Sequence, residues 1–145
     1  MMIRTVLAVA ALALGVSVAA AQDPIAARKA LMKANGDQAK IGTAMMKGEA
    51  PFDLVKAQAI FATYQDAASK MPGLFPDNSK TGGETAAAPK IWESMDEFKA
   101  KFVKFGADAK DASSKVKDEA SYKAAFPEVM KNCGGCHETY RLKKS

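Results

Sequence analysis

The chain has 145 residues and a formal net charge of +5, and its lysines and acidic residues are interspersed rather than grouped in blocks. A charge this small and this evenly spread argues against nucleic-acid binding, although it permits docking on an acidic partner. With one histidine and two cysteines, the sequence lacks the four Cys or His ligands of an ordinary structural zinc site. The length predicts a single domain with its own core.

The N-terminus has the pattern of a secretory signal peptide. A short basic start is followed by an apolar run over residues 5–18 and by three alanines that end at Ala21. This pattern predicts a signal peptide over residues 1–21, cleaved after Ala21, and a mature domain over residues 22–145. The alternative is a membrane anchor, but the run is short for a bilayer span. We therefore expect a periplasmic protein with no stable membrane insertion after cleavage.

The first predicted helix covers residues 24–47. Asp23 followed by proline is typical of a helix start, and Gly48 is typical of a helix end. Residues spaced by seven predict a seam that packs against neighbouring helices. These residues are Ile25, Met32, Ala39 and Met46.

The second predicted helix runs from about Pro51 to Lys70. Its predicted apolar side consists of Phe52, Val55, Ala59 and Ala62, with Ile60 and Phe61 as alternates. Residues 72–89 are rich in Pro, Gly, Ser, Thr, Asn and Asp, a composition typical of a long surface loop. Such a loop is long enough to cross over the end of a helical bundle.

The third predicted helix has the most regular apolar spacing in the sequence, alternating by three and four. Its stripe is Ile91, Met95, Phe98, Phe102, Phe105, Ala109, Ala112 and Val116. An aromatic stripe of this kind predicts core packing first and a cofactor wall second.

A fourth helix is predicted to follow Asp118 as its N-cap. Its stripe is Tyr122, Phe126, Val129, Cys133, Cys136 and Tyr140. Pro127 is expected to kink or loosen this helix, because proline removes one backbone donor and crowds the preceding turn. Four amphipathic helices without a convincing strand predict an all-α fold, an antiparallel four-helix bundle with up-down-up-down order.

The segment Cys133-Gly134-Gly135-Cys136-His137 lies on this last helix. Two cysteines three apart followed by histidine form the attachment pattern of c-type haem, in which the thiols bind the vinyl groups and the histidine binds iron. Spacings of three and four place all three side chains on one helical face. A structural disulfide is the main alternative. A thioredoxin-like dithiol is less favoured, because such motifs follow a strand.

Several landmarks together resemble the cytochrome c′ family, the class II cytochromes c. These are the haem motif near the C-terminus, Arg28 to Met32, residues 47–52, residues 89–92 and Tyr140-Arg141. The resemblance covers the mature chain and is greatest to the low-spin, His/Met-ligated cytochrome c-556 type. It implies one covalent haem c near one end of the bundle, with Cys133 and Cys136 as thioethers and His137 as the proximal iron ligand.

The resemblance also implies roles for residues around the haem. Met32 occupies the position of the distal axial ligand, although it is also a candidate gap-filling core methionine. Arg28 is expected to contact a haem propionate; its alternative is a solvated surface arginine. Arg141 is expected beside the proximal histidine, or as a cation complementing the helix dipole. The predicted pocket walls are Phe98, Phe102 and Tyr140, whose core role does not require haem.

The favoured function is a periplasmic one-electron carrier that is not an enzyme and exchanges electrons with redox partner proteins. The first alternative is a five-coordinate cytochrome c′ that binds NO or CO. The second is a haem-free helical binding protein with a Cys133–Cys136 disulfide. Lys143 and Lys144 are candidates for steering an acidic partner or for a solvated tail. A homodimer through the first two helices is also compatible with the resemblance.

Overall fold

The computed structural model describes residues 23–143; the predicted signal peptide lies outside them. Four long helices form an antiparallel four-helix bundle, which confirms the predicted all-α fold. The helices are α1 (Pro24–Lys47), α2 (Leu54–Lys70), the short α3 (Lys90–Glu93), α4 (Met95–Lys115) and α5 (Glu119–Tyr140). None of the helices in this range has a stretch long and apolar enough to span a bilayer.

Local capping explains most of the helix ends. The Asp23 carboxylate accepts a hydrogen bond from the Ile25 N–H at 2.9 Å, and Gly48 ends α1 with a φ of 75°. The prediction that α2 starts at Pro51 is wrong by three residues. Asp53 caps this helix instead, because its carboxylate accepts from the Lys56 N–H at 3.0 Å, so Pro51 and Phe52 lie in the turn.

One of the two later helices differs from its prediction. The predicted third helix is divided at Ser94, whose φ of −136° and ψ of 49° separate α3 from α4. The predicted fourth helix is continuous through Pro127. Its start is fixed by reciprocal hydrogen bonds between Asp118 and Ser121.

The stripe of α3 and α4 is buried as predicted, except that Met95 is half-buried. The predicted apolar side of α2 is wrong at three positions, because Val55 is 80% exposed and Ala59 and Ala62 are also exposed. Phe52 is half-buried against the core. The alternates Ile60 and Phe61 are fully buried. On α1 the predicted Ile25 is buried, but toward the end of the helix Met45 is buried in place of the predicted Met46, which is half-buried.

The helices α1 and α5 approach closely at one end of the bundle, which we call the closed end (Gly42, Tyr122 and Phe126). A Cβ on Gly42 would lie only 2.5 Å from ring carbons of Phe126. The Tyr122 hydroxyl donates to the Gly42 carbonyl at 3.0 Å. Glycine is therefore required here by the approach of the two helices.

The segment between α2 and α3 contains two short 3₁₀ turns, Met71–Gly73 and Asp77–Ser79. We call residues 74–89 the crossover loop. It meets the end of α5 through an isolated antiparallel bridge between Ala87 and Arg141. Most ion pairs in the described range join residues three or four apart on one helix, whereas Lys29–Glu84 joins α1 to the crossover loop.

Candidate functional site

A cavity of about 580 Å³ lies between α1, α4, α5 and the crossover loop. Its α5 wall carries Cys133, Cys136 and His137, all half-buried. Their spacing of three and four residues places them on one face of the helix, as the sequence predicts. All nine residues predicted for the site line this cavity: Arg28, Met32, Phe98, Phe102, Cys133, Cys136, His137, Tyr140 and Arg141.

The opposite wall belongs to α1. Met32 lines it as a half-buried side chain, together with Asn35, Gly36 and Ala39. The cavity-lining residues recur by three and four along α1, so one continuous helical face borders the space. A thioether on α1 and an imidazole on α5 thus face one cavity from two different helices.

Aromatic side chains close the side of the cavity formed by α4. The ring centroids of Phe98 and Phe102 are 5.2 Å apart, and those of Phe98 and Tyr140 are 5.1 Å apart, both in edge-to-face geometry. Phe75 from the crossover loop adds a third edge-to-face contact on Phe98 at 4.7 Å. These residues pack in the core and also line the cavity. Phe98 and Phe102, which belong to the predicted stripe, are therefore both core residues and part of the cavity wall.

Burial sets the charge state of the motif. It raises the pKa of both thiols, with Lys101 opposing the rise at Cys136. A redox-active dithiol normally has a lowered pKa, so this environment disfavours that alternative. The pKa of His137 is lowered mainly by burial and to a smaller extent by the positive charge of Arg141. The imidazole is therefore neutral at neutral pH and has a lone pair for a metal.

Arg28 is only 5% exposed, so its alternative as a solvated surface arginine is wrong. Its guanidinium donates to the Leu74 carbonyl at 3.0 Å, the Ser79 hydroxyl at 2.9 Å, the Ser79 carbonyl at 2.8 Å and the Thr85 hydroxyl at 2.6 Å. These bonds use both terminal nitrogens, which leaves the Nε–H for another acceptor. Burial lowers the arginine pKa, and Asp23 opposes that effect.

Arg141 lies one turn beyond His137, at the rim of the cavity. Its backbone N–H donates to the His137 carbonyl at 3.3 Å, and its side chain is exposed. The geometry places a positive charge beside the imidazole, as the sequence predicts. This same residue forms the bridge to Ala87.

Two polar residues of the cavity wall were missed by the sequence analysis. Asn35 has a buried side-chain oxygen without a hydrogen-bond partner. Asn132 donates to the Asp108 carboxylate at 2.7 Å and joins α5 to α4 beside Cys133. The spacing of three residues from Met32 to Asn35 could have placed Asn35 on the same helical face as Met32. The partner of Asn132 could not be predicted in this way, because it depends on how α5 packs on α4.

These residues fit a covalent haem. Two thiols and a neutral imidazole share one face, aromatic rings line the space, and the unpaired oxygen of Asn35 indicates a polar environment incomplete without a bound group. Within residues 23–143 there is no cluster of three or more His, Cys, Asp or Glu that could hold a metal ion.

Comparisons with known proteins agree with this fit. The family model described as Cytochrome C′ matches residues 23–141. Cytochrome c′ of Rhodopseudomonas palustris is 49% identical over 133 residues, covering 91% of each chain. A cytochrome c-556 of Agrobacterium tumefaciens is 42% identical over 118 residues, covering 81% of this chain and 95% of the relative.

The structural comparison gives the same result. The solved cytochrome c′ from Rhodopseudomonas palustris has a TM-score of 0.83 and 48% identity, covering 86% of this chain and 100% of that chain. The chain therefore belongs to the cytochrome c′ family, and its two cysteines, Cys133 and Cys136, are those available to attach the family's covalent haem c.

Proposed function

We propose that the chain is a periplasmic one-electron carrier whose haem iron is bound by His137 and Met32. The observation that carries this proposal is that the α5 imidazole and the α1 thioether border the same cavity. His/Met ligation raises the reduction potential of a haem and occupies both axial positions. Little has to rearrange in such a site when the iron changes its charge.

Each wall has a distinct part in this proposal. Haem c supplies a one-electron iron couple when bound. Cys133 and Cys136 fix it to a continuous helix, while the neutral His137 offers its lone pair. Phe98, Phe102 and Tyr140 exclude water and lower the local dielectric. Arg141 places a positive charge near the imidazole, and the Nε–H of Arg28 is available to a propionate.

Exposed cations at the cavity rim favour an acidic redox partner. Lys101 and Arg141 border the cavity and are exposed, and Lys143 lies with Arg141 in a neighbouring surface pocket. These cations outnumber Glu84, the one acidic residue among the described residues that line the cavity, and an excess of one charge speeds the encounter with a partner of opposite charge. The experiment is electron transfer to an acidic redox protein, which should slow as salt concentration rises.

A homodimer through α1 and α2 is also part of the proposal. Ile41, Leu54 and Val55 are 42%, 40% and 80% exposed, and Ala59 and Ala62 add exposed apolar area on α2. Val55, Ala59 and Ala62 are spaced by four and three and so share one face of α2, and an exposed apolar face is typical of an interaction surface. Sedimentation should show a dimer that Val55→Lys dissociates. The control Val103→Lys, at a valine of α4 that is 73% exposed, should leave the dimer intact.

A gas-binding function is the second candidate. It is supported by the half-buried position of Met32, a flexible side chain that a small ligand can displace. The relative at 49% identity is also named cytochrome c′ rather than cytochrome c-556. Family membership favours either haem function over the haem-free, disulfide-bonded alternative.

Visible spectroscopy of the holoprotein tests the axial ligands. We expect sharp low-spin bands in the reduced protein that carbon monoxide does not change. Met32→Ala should produce a five-coordinate haem that binds carbon monoxide, whereas Met130→Ala, at another methionine of the cavity wall, should not. An unchanged spectrum in Met32→Ala would show that another residue is the ligand, and a high-spin wild-type protein would favour gas binding.

A further inference from the structure

We infer that Arg28 is a positioning residue that holds the crossover loop in place as one wall of the haem pocket and so limits the access of solvent to the haem. This inference rests on the proposed function and concerns how the pocket is closed. It differs from a direct propionate contact, because the residue acts through the loop.

The contacts of Arg28 point to the loop. All four N–H groups of its terminal nitrogens are used by loop oxygens, from Leu74, Ser79 and Thr85, and Ser79 is itself fully buried. The guanidinium also lies over the Phe75 ring, 4.7 Å from its centroid. A planar fork of donors can satisfy this spread of acceptors, whereas a single ammonium group cannot.

Neighbouring residues of α1 contact the tip of the same loop. Gly83 packs so closely on Ile25 that an added Cβ would lie 3.0 Å from Ile25 Cγ2. Lys29 donates to the Gly83 carbonyl at 3.3 Å and pairs with Glu84 at 3.5 Å. Glu84 has a φ of 53°, which is costly for a residue other than glycine. The contacts with α1 maintain this strained tip.

The other side of the loop is fixed to α5. The Ala88 N–H donates to the Tyr140 carbonyl at 2.9 Å, and the Leu142 N–H donates to the Ala86 carbonyl at 2.8 Å. Between these attachments, residues 84–87 line the cavity. The loop is thus held from both helices that carry the proposed iron ligands.

This placement has a consequence for the haem. Arg28 precedes Met32 by one turn of α1, and the bridge residue Arg141 follows His137 by one turn of α5. A loop released from Arg28 would open the pocket at this end and admit water. A more polar environment favours the more highly charged ferric state, so the reduction potential should fall.

The test uses two variants of the holoprotein. Arg28→Lys keeps the positive charge but not the forked hydrogen bonds. Ser79→Ala leaves Arg28 intact and removes one of its acceptors at a residue that does not line the cavity. Lys40→Ala is the control, since Lys40 is an exposed lysine of α1 that pairs with Asp37 rather than with the loop and does not line the cavity.

The first readout is trypsin cleavage after Lys80, an exposed loop residue, followed by mass spectrometry. We expect cleavage to be about tenfold faster in Ser79→Ala, the factor for losing one hydrogen bond to a charged group. Arg28→Lys, which loses more than one of these bonds, should be cleaved faster still. The second readout is the reduction potential, which should fall in both variants and more in Arg28→Lys. The control should change neither.

Two outcomes would overturn the inference. If Ser79→Ala has wild-type cleavage and potential while Arg28→Lys lowers the potential, Arg28 acts on the haem directly. If the loop opens in both variants at an unchanged potential, it is not a functional wall. A low-spin spectrum in the wild-type protein would leave the proposed function standing in either case, so the two failures are distinguishable.

Discussion

The two ends of the contact between α1 and α5 differ in how closely the helices approach. At the closed end, Gly42 allows the rings of Phe126 and Tyr122 to touch the α1 backbone. At the other end, the same two helices border a cavity of about 580 Å³. At one end, the absence of a side chain on Gly42 lets the two helices approach closely. At the other end they leave a cavity, and the candidate functional residues line it.

This difference divides stability from function within one helix pair. The closed end is buried and close-packed, so changes there should lower the free energy of unfolding. At the cavity, Met32, the two cysteines and His137 are half-buried, and Asn35 has an unpaired polar atom, so changes there should alter the haem more than the fold. The following variants test that division.

The largest effect is expected for Phe126→Ala. This ring is 1% exposed, and removing a buried phenylalanine costs about 3–5 kcal/mol. Phe75→Ala at the cavity should cost clearly less, because Phe75 is only half-buried. Urea denaturation of the two holoproteins measures the difference, and equal losses would show that the two ends are equally important for stability.

Glycine substitutions on α1 give the next comparison. Gly42→Ala should lower the free energy of unfolding by about 1–3 kcal/mol, because the new Cβ overlaps Phe126. Gly36→Ala should raise it by about 0.5–1 kcal/mol, since no atom lies within 4 Å of the added Cβ and alanine favours the helix. Denaturation with the same probe tests both, and a loss of equal size in the two variants would contradict the comparison.

A smaller loss is expected for Tyr122→Phe. The variant removes the hydroxyl that donates to the Gly42 carbonyl, and one such hydrogen bond contributes about 1 kcal/mol. The ring packing stays, so the loss should not approach that of Phe126→Ala. Thermal unfolding at pH 7 provides the measurement; a change of 3 kcal/mol or more would mean that the ring itself has moved.

The smallest effect at neutral pH is expected for Tyr64→Phe, because within residues 23–143 the one hydrogen bond of the Tyr64 hydroxyl is to the Met130 thioether, a weak acceptor at 3.6 Å. Burial raises the tyrosine pKa well above its ordinary value. The stability linked to the protonated hydroxyl is complete below the unfolded pKa of about 10 and is lost as the pH rises toward the folded pKa. Above pH 10, Tyr64→Phe should therefore lose less stability than the wild-type protein. Identical profiles of unfolding free energy against pH for the two proteins would refute this.

Much of the site could be predicted because it is local. The cysteines and histidine follow a fixed spacing, and the stripe of α4 alternates by three and four without interruption, so both could be placed on helical faces. Met32 was placed through the family resemblance, and it does line the cavity. Asp23 and Asp118 fixed two helix starts through capping, which depends only on neighbouring residues.

The remaining features depend on tertiary contacts. The α2 helix has apolar residues on more than one side, and alanines such as Ala59 carry too little hydrophobic area to identify the buried face. A strict seven-residue repeat predicted that Met46 is buried. Because an α-helix drifts from that repeat, the neighbouring Met45 is buried instead. The partners of Arg28 lie 46–57 residues away in the chain, beyond the reach of local patterns.

The distribution of ion pairs has a consequence for the response to ionic strength. Pairs confined to single helices contribute little to holding the helices together, so salt should leave the bundle intact. Lys29–Glu84, an exposed pair between α1 and the crossover loop, is the kind of contact that screening weakens. Concentrated salt should therefore loosen the crossover loop over the pocket first, under conditions in which the four-helix bundle is still folded.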